Sequence, residues 1–306
     1  MASYDCYGVQ MTQGVSNNSH TARRFACVAC GQCCDRGPEM ELSEATLLAD
    51  TFITSLIFKA HTLPLRECHD RVAQWHEKQG SRLPTDVALA EKRRLLGYFA
   101  SRRRSERQND REVYLTISAI VNDYGQGQCP ALDNNICGIY GRRPVTCRTV
   151  PLHYSRPLSV LGTYLDQFVA TPGYQCDTLN GPVLLDGQKV ISQELRDYRQ
   201  QAVDVAKADR RWKHYLLCLM DDPKAADRAG LPTYDEILFN TSNGHATLVP
   251  MFMAWQAAEQ HGLISSSDLR GLCAKQAGLI KAKFSSLGSH QEVIALLRLY
   301  ETGISA

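Results

Sequence analysis

The stretch FACVACGQCCD, residues 25–35, places four cysteines within eight positions and decides how the rest of the chain is interpreted. The pattern is C-x2-C-x2-C-C, formed by Cys27, Cys30, Cys33 and Cys34. Two intervening residues let a tight turn aim successive sulfurs at one point, as metal sites require. Adjacent side chains diverge in most backbone conformations, so Cys33 and Cys34 are not expected to fill equivalent places around one metal. The stretch therefore predicts metal binding, with a second metal or a free thiol at the adjacent pair.

A second set of cysteines follows in CPALDNNICGIYGRRPVTCRTVP (129–151) and TPGYQC (171–176). The further predicted metal ligands are Cys129, Cys137, Cys147 and Cys176. Structural zinc sites usually combine two short-spaced cysteine pairs, whereas iron–sulfur clusters accept thiolates from separate loops. The wide spacing of the second set therefore favours an iron–sulfur cluster, with [4Fe–4S] as the expected type. Zinc is left open as the alternative metal, and buried or reactive thiols without metal are the other interpretation of the pattern.

Composition narrows the class of protein. The chain has 306 residues, of which 44% are hydrophobic and 22% charged, the balance of a globular protein, and its formal net charge is +2. This small charge predicts neither a nucleic-acid nor a membrane-surface partner. The polar N-terminal stretch lacks the apolar run of a signal peptide, and no run reaches the roughly 18 residues of a membrane span. We therefore expect a cytoplasmic protein whose twelve cysteines serve metal binding rather than disulfides.

The chain is predicted to have an α+β, predominantly helical fold, with an irregular cysteine-rich core, few short strands and a helical C-terminal region. We divide it into a flexible N-terminal arm (1–22), a cysteine-cluster metal-binding domain (23–185) and a helical C-terminal domain (186–306). The second of these carries a helical insertion (42–108). A helix is expected from Ser43 to about His61, a second helical region over 66–108 and a strand over 112–122. Further helices are predicted over 191–220, 247–262, 266–285 and 289–301.

Several other charged, histidine and cysteine residues are predicted to have ordinary structural roles. The basic runs 92–94 and 102–104, with Arg107, predict a solvated helix face, because net charge is small and no aromatic residues interleave. His61, His69 and His76 are interpreted as surface histidines, and His153 as the histidine best placed in sequence to approach the cysteines. Cys218 and Cys273 stand in apolar helical contexts and are predicted to be small buried side chains.

The two cysteine blocks resemble the bacterial cysteine-cluster family marked by C-x2-C-x2-C-C, which is described as zinc- or iron-chelating. The resemblance covers about residues 25–180 and rests on FACVACGQCC, followed in the second block by Cys-Pro, Cys, Ile-Tyr, Arg-Pro, Cys-Arg and Pro. It implies a metal-binding domain, and most family members have no assigned activity. Flagellin lysine N-methylases carry a similar cluster, which implies a methyl-transfer activity as one option.

Three functions remain open from the sequence. The first is a metal-cluster protein, of the iron–sulfur type, with a redox or group-transfer role. The second is a protein lysine N-methyltransferase using S-adenosylmethionine, although no dinucleotide fingerprint is present. Arginine grips carboxylates bidentately, so the candidates for holding the cosubstrate are Tyr140, Arg143 and Arg148, unless they brace the cysteine loop instead. The third is a zinc-stapled interaction module whose helical tail contacts a protein partner.

Overall fold

The computed structural model describes residues 22–34, 37–65, 68–79, 84–103, 111–122, 127–284 and 291–305. The predicted N-terminal arm, together with Cys6, lies outside the described residues except for Ala22. Arg104 and Arg107 of the predicted basic face also lie outside them.

The strands of the described part are short except for two. They are β1 Ala22–Arg24, β2 Ala26–Cys27, β3 Glu39–Met40, β4 Thr54–Pro64, β5 Ala100–Arg103, β6 Arg111–Val121, β7 Leu132–Asp133, β8 Ile136–Cys137, β9 Cys176–Asp177, β10 Val183–Asp186, β11 Lys189–Val190 and β12 Thr247–Pro250.

The α-helices occupy most of the chain after residue 190. They are α1 Leu42–Leu47, α2 His69–Gln79, α3 Thr85–Phe99, α4 Val145–Arg148, α5 Leu161–Val169, α6 Gln193–Ala208, α7 Arg210–Asp221, α8 Pro223–Arg228, α9 Tyr234–Ser242, α10 Phe252–Gln260, α11 Ser266–Phe284 and α12 Gln291–Ser305. Short 3-10 turns occur at Gln32–Cys34, Tyr140–Arg142 and Leu158–Val160.

A central antiparallel sheet is built on β4 and β6, which are eleven residues long and pair from Thr54 opposite Val121 to Pro64 opposite Arg111. The strand order is β12-β4-β6-β3, and β5 also pairs with β6. Because β12 is hydrogen-bonded to β4, the sheet takes strands from both sides of the domain boundary predicted near residue 185. The predicted domain limits themselves stay a prediction.

One face of this sheet is apolar and forms the main core. Leu56, Phe58, Leu115 and Ile117 alternate along β4 and β6 and are at most 2% exposed. They pack in one cluster with side chains of α7, α10 and α11, including the fully buried Trp255. Removing this much apolar surface from water is the main stabilisation that the C-terminal helices give to the sheet.

The opposite face of the same sheet is polar at its centre. Lys59 and His61 follow each other on β4 at a spacing of two, and Thr116 and Ser118 do so on β6. Since Lys59 is opposite Thr116 in the register, all four side chains stand on one face. Helix α3 covers part of this face, where Leu89 and Leu96 pack in a small cluster with side chains of β4 and β6.

A smaller unit carries the first cysteines. Strands β1, β10 and β11 form a three-stranded antiparallel sheet, and β2 pairs with β9. Arg23 holds this sheet against α5 through two hydrogen bonds to Asp166, of 2.8 and 2.9 Å. Phe25 is buried in an apolar cluster under the sheet, and its N–H donates to the carbonyl of Pro182 at 3.1 Å. The contacts of Arg23 and Phe25 therefore fix the segment that leads into the cysteine loop.

The helix predicted from Ser43 to about His61 is wrong beyond Leu47, because residues 54–64 form strand β4. The first residues of this strand are buried on both faces, so Leu56, Ile57 and Phe58 follow one another without alternation. A continuous apolar run cannot be told from a buried helix by periodicity. The helix predicted over 247–262 also begins later, at Phe252, because residues 247–250 pair with β4 as an edge strand.

Other predicted elements are present. Strand β6 occupies the predicted 112–122 segment, and α11 and α12 match the last two predicted helices. The helical region predicted over 66–108 holds α2 and α3 but ends in strand β5. The fold class is confirmed as α+β and predominantly helical. No helix in the described ranges has the length and apolar character needed to cross a bilayer.

Candidate metal centre

The loop between β2 and the first 3-10 turn bends because two residues take left-handed backbone angles. Ala29 has a φ of 56° and Gly31 a φ of 73°. Gly31 is also close to the second cysteine block, since a Cβ there would lie 3.0 Å from the Asn135 side-chain oxygen. Cys34 closes the turn by donating its N–H to the Gly31 carbonyl at 3.0 Å. The sequence C-x2-C-x2-C-C thus forms a tight loop that packs against the second cysteine block.

Four of the cysteines gather around the β2–β9 pair, and we name them the first thiol group: Cys27, Cys30, Cys33 and Cys176. In the strand register Cys27 is directly opposite Cys176. The pKa of Cys176 is raised by burial and then by the charges of the other three thiols, which places them as its neighbours. The backbone N–H of Ala29 donates to Cys27 Sγ at 3.4 Å. Hydrogen bonds of this kind stabilise sulfur in its thiolate form.

The other four cysteines form the second thiol group: Cys34, Cys129, Cys137 and Cys147. Strands β7 and β8 make a hairpin whose two turn residues, Asn134 and Asn135, have φ of 49° and 64°. Asparagine tolerates this left-handed conformation, which a two-residue hairpin needs. The hairpin places Cys137 near the start of the block, and the Cys129 N–H donates to the Cys34 carbonyl at 3.0 Å. This last hydrogen bond joins the two cysteine blocks directly.

Electrostatic coupling shows that the second thiol group is one neighbourhood. Burial raises the pKa of Cys147 to about 12, and the charges of Cys129 and Cys137 add to the rise. The pKa of Cys34 is lowered by a hydrogen bond from Cys33, against burial and the charges of the other three thiols of its group. The raised pKa of Cys129 and Cys147 favours the neutral thiol, and a bound metal cation would instead stabilise the thiolate.

The adjacent pair lies at the junction of the two groups, because the Cys33 side chain hydrogen-bonds to the Cys34 sulfur. Cys33 lies among the neighbours of Cys176, whereas Cys34 lies among Cys129, Cys137 and Cys147. By their charge couplings the eight predicted ligands form two groups of four, and Cys33 and Cys34 connect these groups through their side-chain hydrogen bond. Their role as metal ligands stays a prediction.

The donor sets fit a metal by their chemistry, since four thiols suit both tetrahedral zinc and an iron–sulfur cluster. Within the described ranges, no three His, Cys, Asp or Glu side chains are arranged closely enough to hold a metal ion as they stand. The sulfurs of each group are thus neighbours that would have to turn toward a common point. Eleven cysteines of the described part are free thiols, so both groups are available for metal.

The residues predicted to hold a cosubstrate are engaged with their own loop. The Arg143 guanidinium lies 3.6 Å from the centre of the Tyr140 ring and donates to the Tyr140 carbonyl at 3.1 Å. Arg148 donates to the Arg143 carbonyl at 2.7 Å. These contacts brace the segment that leads to Cys147. The cosubstrate role of the three residues stays a prediction.

The remaining cysteines and histidines are placed differently from one another. Cys273 is completely buried, as predicted, whereas Cys218 is exposed on α7, so the prediction of burial is wrong there. The distinction arises because α7 buries the face that carries Leu216 and Leu217 and turns Cys218 outward. His61, predicted to be a surface histidine, is half-buried on the sheet, whereas His69 is exposed as predicted.

The basic run 92–94 is not a wholly solvated face. Arg93 donates to Glu112 at 2.5 Å and to the Pro64 carbonyl at 3.1 Å, and Lys92 is half-buried beside it. Only Arg94 of this triplet is exposed. The helix turns the first two basic residues toward the sheet because they share a face with the buried Leu89 and Leu96.

Sequence reasoning missed a set of polar residues on the sheet, at Glu39, Lys59 and Ser118. Lys59 Nζ lies 2.5 Å from Glu39 Oε2, and Ser118 donates to Glu39 Oε1 at 2.5 Å. The signal in the sequence is polar residues at a spacing of two, Lys59 with His61 and Thr116 with Ser118, inside otherwise apolar runs. Such a pattern indicates a strand with one polar face.

Comparison with protein families matches residues 26–177 to the CxxCxxCC family, whose description is "putative zinc- or iron-chelating domain". The matched range runs from β2 to β9 and contains both thiol groups. Searches of curated proteins and of solved structures give no significant match.

Proposed function

Residues 26–177 belong to the CxxCxxCC family, and on this premise we propose that the protein binds metal at two four-cysteine centres, of which the first holds an iron–sulfur cluster. The observation that carries the proposal is the different surroundings of Cys33 and Cys34: Cys33 lies near Cys176, and Cys34 lies near Cys129, Cys137 and Cys147, so that each centre would have four thiols. A single centre would leave four thiols unused in its immediate surroundings.

Ligand spacing supports iron–sulfur at the first thiol group. Cys27, Cys30 and Cys33 form C-x2-C-x2-C within one loop, and the fourth thiol, Cys176, arrives from a distant strand. Bacterial ferredoxins use this arrangement for [4Fe–4S] clusters, with three closely spaced cysteines and a remote fourth one. For the second thiol group we propose the same cluster type, and zinc is the alternative.

The proposed role is electron transfer or group transfer with a protein partner. A bound cluster supplies one-electron chemistry, while the chain positions its sulfurs and sets its access to solvent. Cys27 is exposed, so the first centre lies at the surface. Val28 and Leu179, which are 50% and 81% exposed, flank this centre with apolar surface of the kind that protein partners cover. The free thiols support a reducing compartment, for which we propose the cytoplasm.

Metal analysis of protein purified without air tests the proposal. We expect a brown protein with a broad absorption near 400 nm and with iron and acid-labile sulfide in equal amounts, about four of each per filled centre. A colourless protein with two zinc ions and no sulfide would retain the two centres but overturn the iron–sulfur assignment. A protein with neither metal would overturn both.

Methyl transfer is the second function that the family resemblance suggests, and it requires a binding site for a cosubstrate in addition to the metal. S-adenosylmethionine should then bind to the metal-replete protein, with Tyr140, Arg143 and Arg148 at the site. Calorimetric titration measures this directly. Because the two arginines already donate to carbonyls of their own loop, we rank this function below electron transfer.

A further inference from the structure

Strand β12 forms one edge of the central sheet. It pairs with β4, and no other strand of the described ranges pairs with it. The Met251 N–H, just after the strand, donates to the Thr54 carbonyl at 3.4 Å. Hydrogen bonds of an antiparallel pair recur at every second residue, so Val249 and Thr247 also direct their N–H and C=O groups toward β4.

The outer edge of β12 is open for pairing. By the same alternation, Leu248 and Pro250 direct their backbone groups away from β4. The N–H and C=O of Leu248 have no hydrogen-bond partner in the part of the chain that the structure describes. Pro250 has no N–H, so it offers an acceptor alone. A further strand can thus add to the sheet here and exchange two hydrogen bonds with Leu248.

A groove of about 600 Å³ lies beside this open edge. It is lined by one side of α9, by the buried residues 231–232 before that helix and by side chains of β12. Val249 lines it and is opposite Leu56 in the register, so the groove is on the same face of the sheet as the main core. Asn240 ties the helix to the strand by donating its Nδ2–H to Thr247 Oγ1 at 2.9 Å.

Three side chains of α9 give the groove its chemical character. Asp235, Glu236 and Phe239 line it and are exposed, Phe239 by 69%. Both ionisable groups of the lining are therefore carboxylates, which are charged at neutral pH. Arg103 is paired with Asp221 and does not line the groove. The groove is suited to a cation next to an apolar side chain, with the exposed ring as an anchor of the kind found in protein interfaces.

The spacing of these side chains matches that of an extended strand. Asp235 and Phe239 are four residues apart, which is about 6 Å along a helix. Side chains on one face of a strand recur at about 6.7 Å, so two of them fit beside these two residues. The chain reverses over residues 243–246, so α9 runs back along β12 in the opposite direction. A peptide antiparallel to β12 therefore meets Asp235 first and Phe239 two residues later.

We propose that the open edge of β12 and the groove bind an extended segment of a partner protein, which carries Lys or Arg at one position and an apolar residue two positions later. The segment pairs antiparallel with β12, its basic side chain lies beside Asp235 and Glu236, and its apolar side chain packs against Phe239. Charge favours this occupant over a second copy of the chain, because a symmetric pairing of two β12 strands brings the same carboxylates together. This inference does not depend on the metal proposed for the thiol groups.

Fluorescence anisotropy of a labelled heptapeptide, added to the full chain as purified with its metal, tests the proposal. The probe is Ser-Thr-Lys-Thr-Leu-Thr-Ser, in which the central threonine is opposite Leu248. We expect saturable binding that weakens as the salt concentration rises from about 50 to about 500 mM. Glutamate in place of the lysine should weaken binding about tenfold, because attraction becomes repulsion. Proline in place of the central threonine should weaken it about fivefold or more, because it removes the N–H that donates to Leu248.

Replacements on the protein separate the two side-chain contacts. Phe239→Ser should weaken the lysine peptide about tenfold, and Asp235→Asn about two- to fivefold, because an exposed ion pair contributes less than a covered aromatic anchor. Asp235→Asn should also reduce the preference for the lysine peptide over the glutamate peptide. The matched controls are Leu47→Ser on α1, where the leucine is 77% exposed, and Glu292→Gln in the first turn of α12. Both controls should bind like the wild type, and all four variants should keep their metal.

The comparison of the three peptides on the wild type needs no variant, so it holds even if a replacement fails to fold. Failure of the lysine peptide to bind, or equal binding of the lysine peptide and either of the other two, would overturn the proposal. Unchanged binding by both Phe239→Ser and Asp235→Asn would also overturn it. Sedimentation velocity tests the other occupant. A wild-type dimer that Phe239→Ser dissociates, without peptide binding, would show that a second copy covers the edge and that the proposed partner is wrong.

Discussion

Cys33 and Cys34 hydrogen-bond to each other through their side chains but have different further neighbours, Cys33 lying near Cys176 and Cys34 near the cysteines of the 129–147 block. The 3-10 turn that contains them makes this possible, because successive side chains of such a turn point about a third of a circle apart. The turn is fixed from the other block by the hydrogen bond from the Cys129 N–H to the Cys34 carbonyl. One short 3-10 turn therefore connects the two thiol groups.

Single replacements of Cys33 and Cys34 by Ser should remove different parts of the bound metal. A serine hydroxyl is a poor ligand for zinc or for an iron–sulfur cluster, so each variant should lose one centre and keep the other. Iron, zinc and sulfide per chain measure this, with Cys218→Ser on the exposed face of α7 as the control. Identical loss of metal from both variants, or no loss from one of them, would show that the division into two centres is incorrect.

Cys273→Ser should destabilise the protein without changing its metal content. The thiol is completely buried in the core formed by α10, α11 and α12, so the serine hydroxyl would be surrounded by apolar side chains. The expected loss of unfolding free energy is about 1–3 kcal/mol, and Cys218→Ser should stay within about 0.5 kcal/mol of the wild type. Chemical denaturation gives both values, and metal analysis of the same samples shows whether Cys273 is separate from the centres.

Gln276 is a buried amide that connects the C-terminal helices to the start of β4. Its Nε2 donates to the carbonyls of Ala49 and Phe52 at 2.8 and 2.7 Å, and its Oε1 accepts from the Thr54 N–H. Gln276→Leu removes all three hydrogen bonds and leaves buried backbone groups unpaired, so we expect a loss of about 2–4 kcal/mol.

The matched control for this replacement is Gln201→Leu on the exposed side of α6, which should stay within about 0.5 kcal/mol of the wild type. One cooperative unfolding transition in both variants would show that the sheet and the C-terminal helices unfold together. A Gln276→Leu protein as stable as the wild type would mean that water replaces the lost partners.

Features that depend on local sequence could be predicted, whereas features that depend on the pairing of distant strands could not. Strand β6 is predictable because its β-branched residues alternate, and the eight cysteines are recognisable from their spacing. Strand β4 is not predictable in this way, because burial on both faces at its start removes the alternation of apolar and polar residues. The arrival of Cys176 beside the first cysteine loop depends on the β2–β9 pairing, in which it lies opposite Cys27. The ion pair of Lys59 with Glu39 depends likewise on the pairing of β3 and β4 with β6.

The folded protein should lose stability in mild acid because of His61 and His153. The folded-state pKa of each is lowered to about 4, chiefly by burial, whereas the unfolded value is near 6.5. Between these values the unfolded chain binds more protons, so stability is fully present above pH 6.5 and falls as the pH drops toward 4. The slope is at most about 1.4 kcal/mol per pH unit for each histidine.

The charged groups around the two rings are Lys59, Lys92, Arg156, Arg199 and Glu39; the cations oppose protonation of the rings and the carboxylate favours it. Glu41 acts in the opposite sense to the histidines, because burial raises its pKa to about 7, so its contribution is lost as the pH rises from about 4.5 to 7. The total curve is therefore a sum of opposing contributions. The difference between the wild type and a His61→Gln, His153→Gln double variant isolates the histidines.

Urea denaturation of both proteins at half-unit steps from pH 4.5 to 7.5 measures that difference. The double variant should show a shallower loss of stability below pH 6.5, and the two curves should run parallel above pH 7. Parallel curves over the whole range would mean that the rings titrate as freely as exposed histidines, and burial would then not lower their pKa. A steeper curve for the variant would reverse the assigned sign, because it would require the folded state to bind the protons.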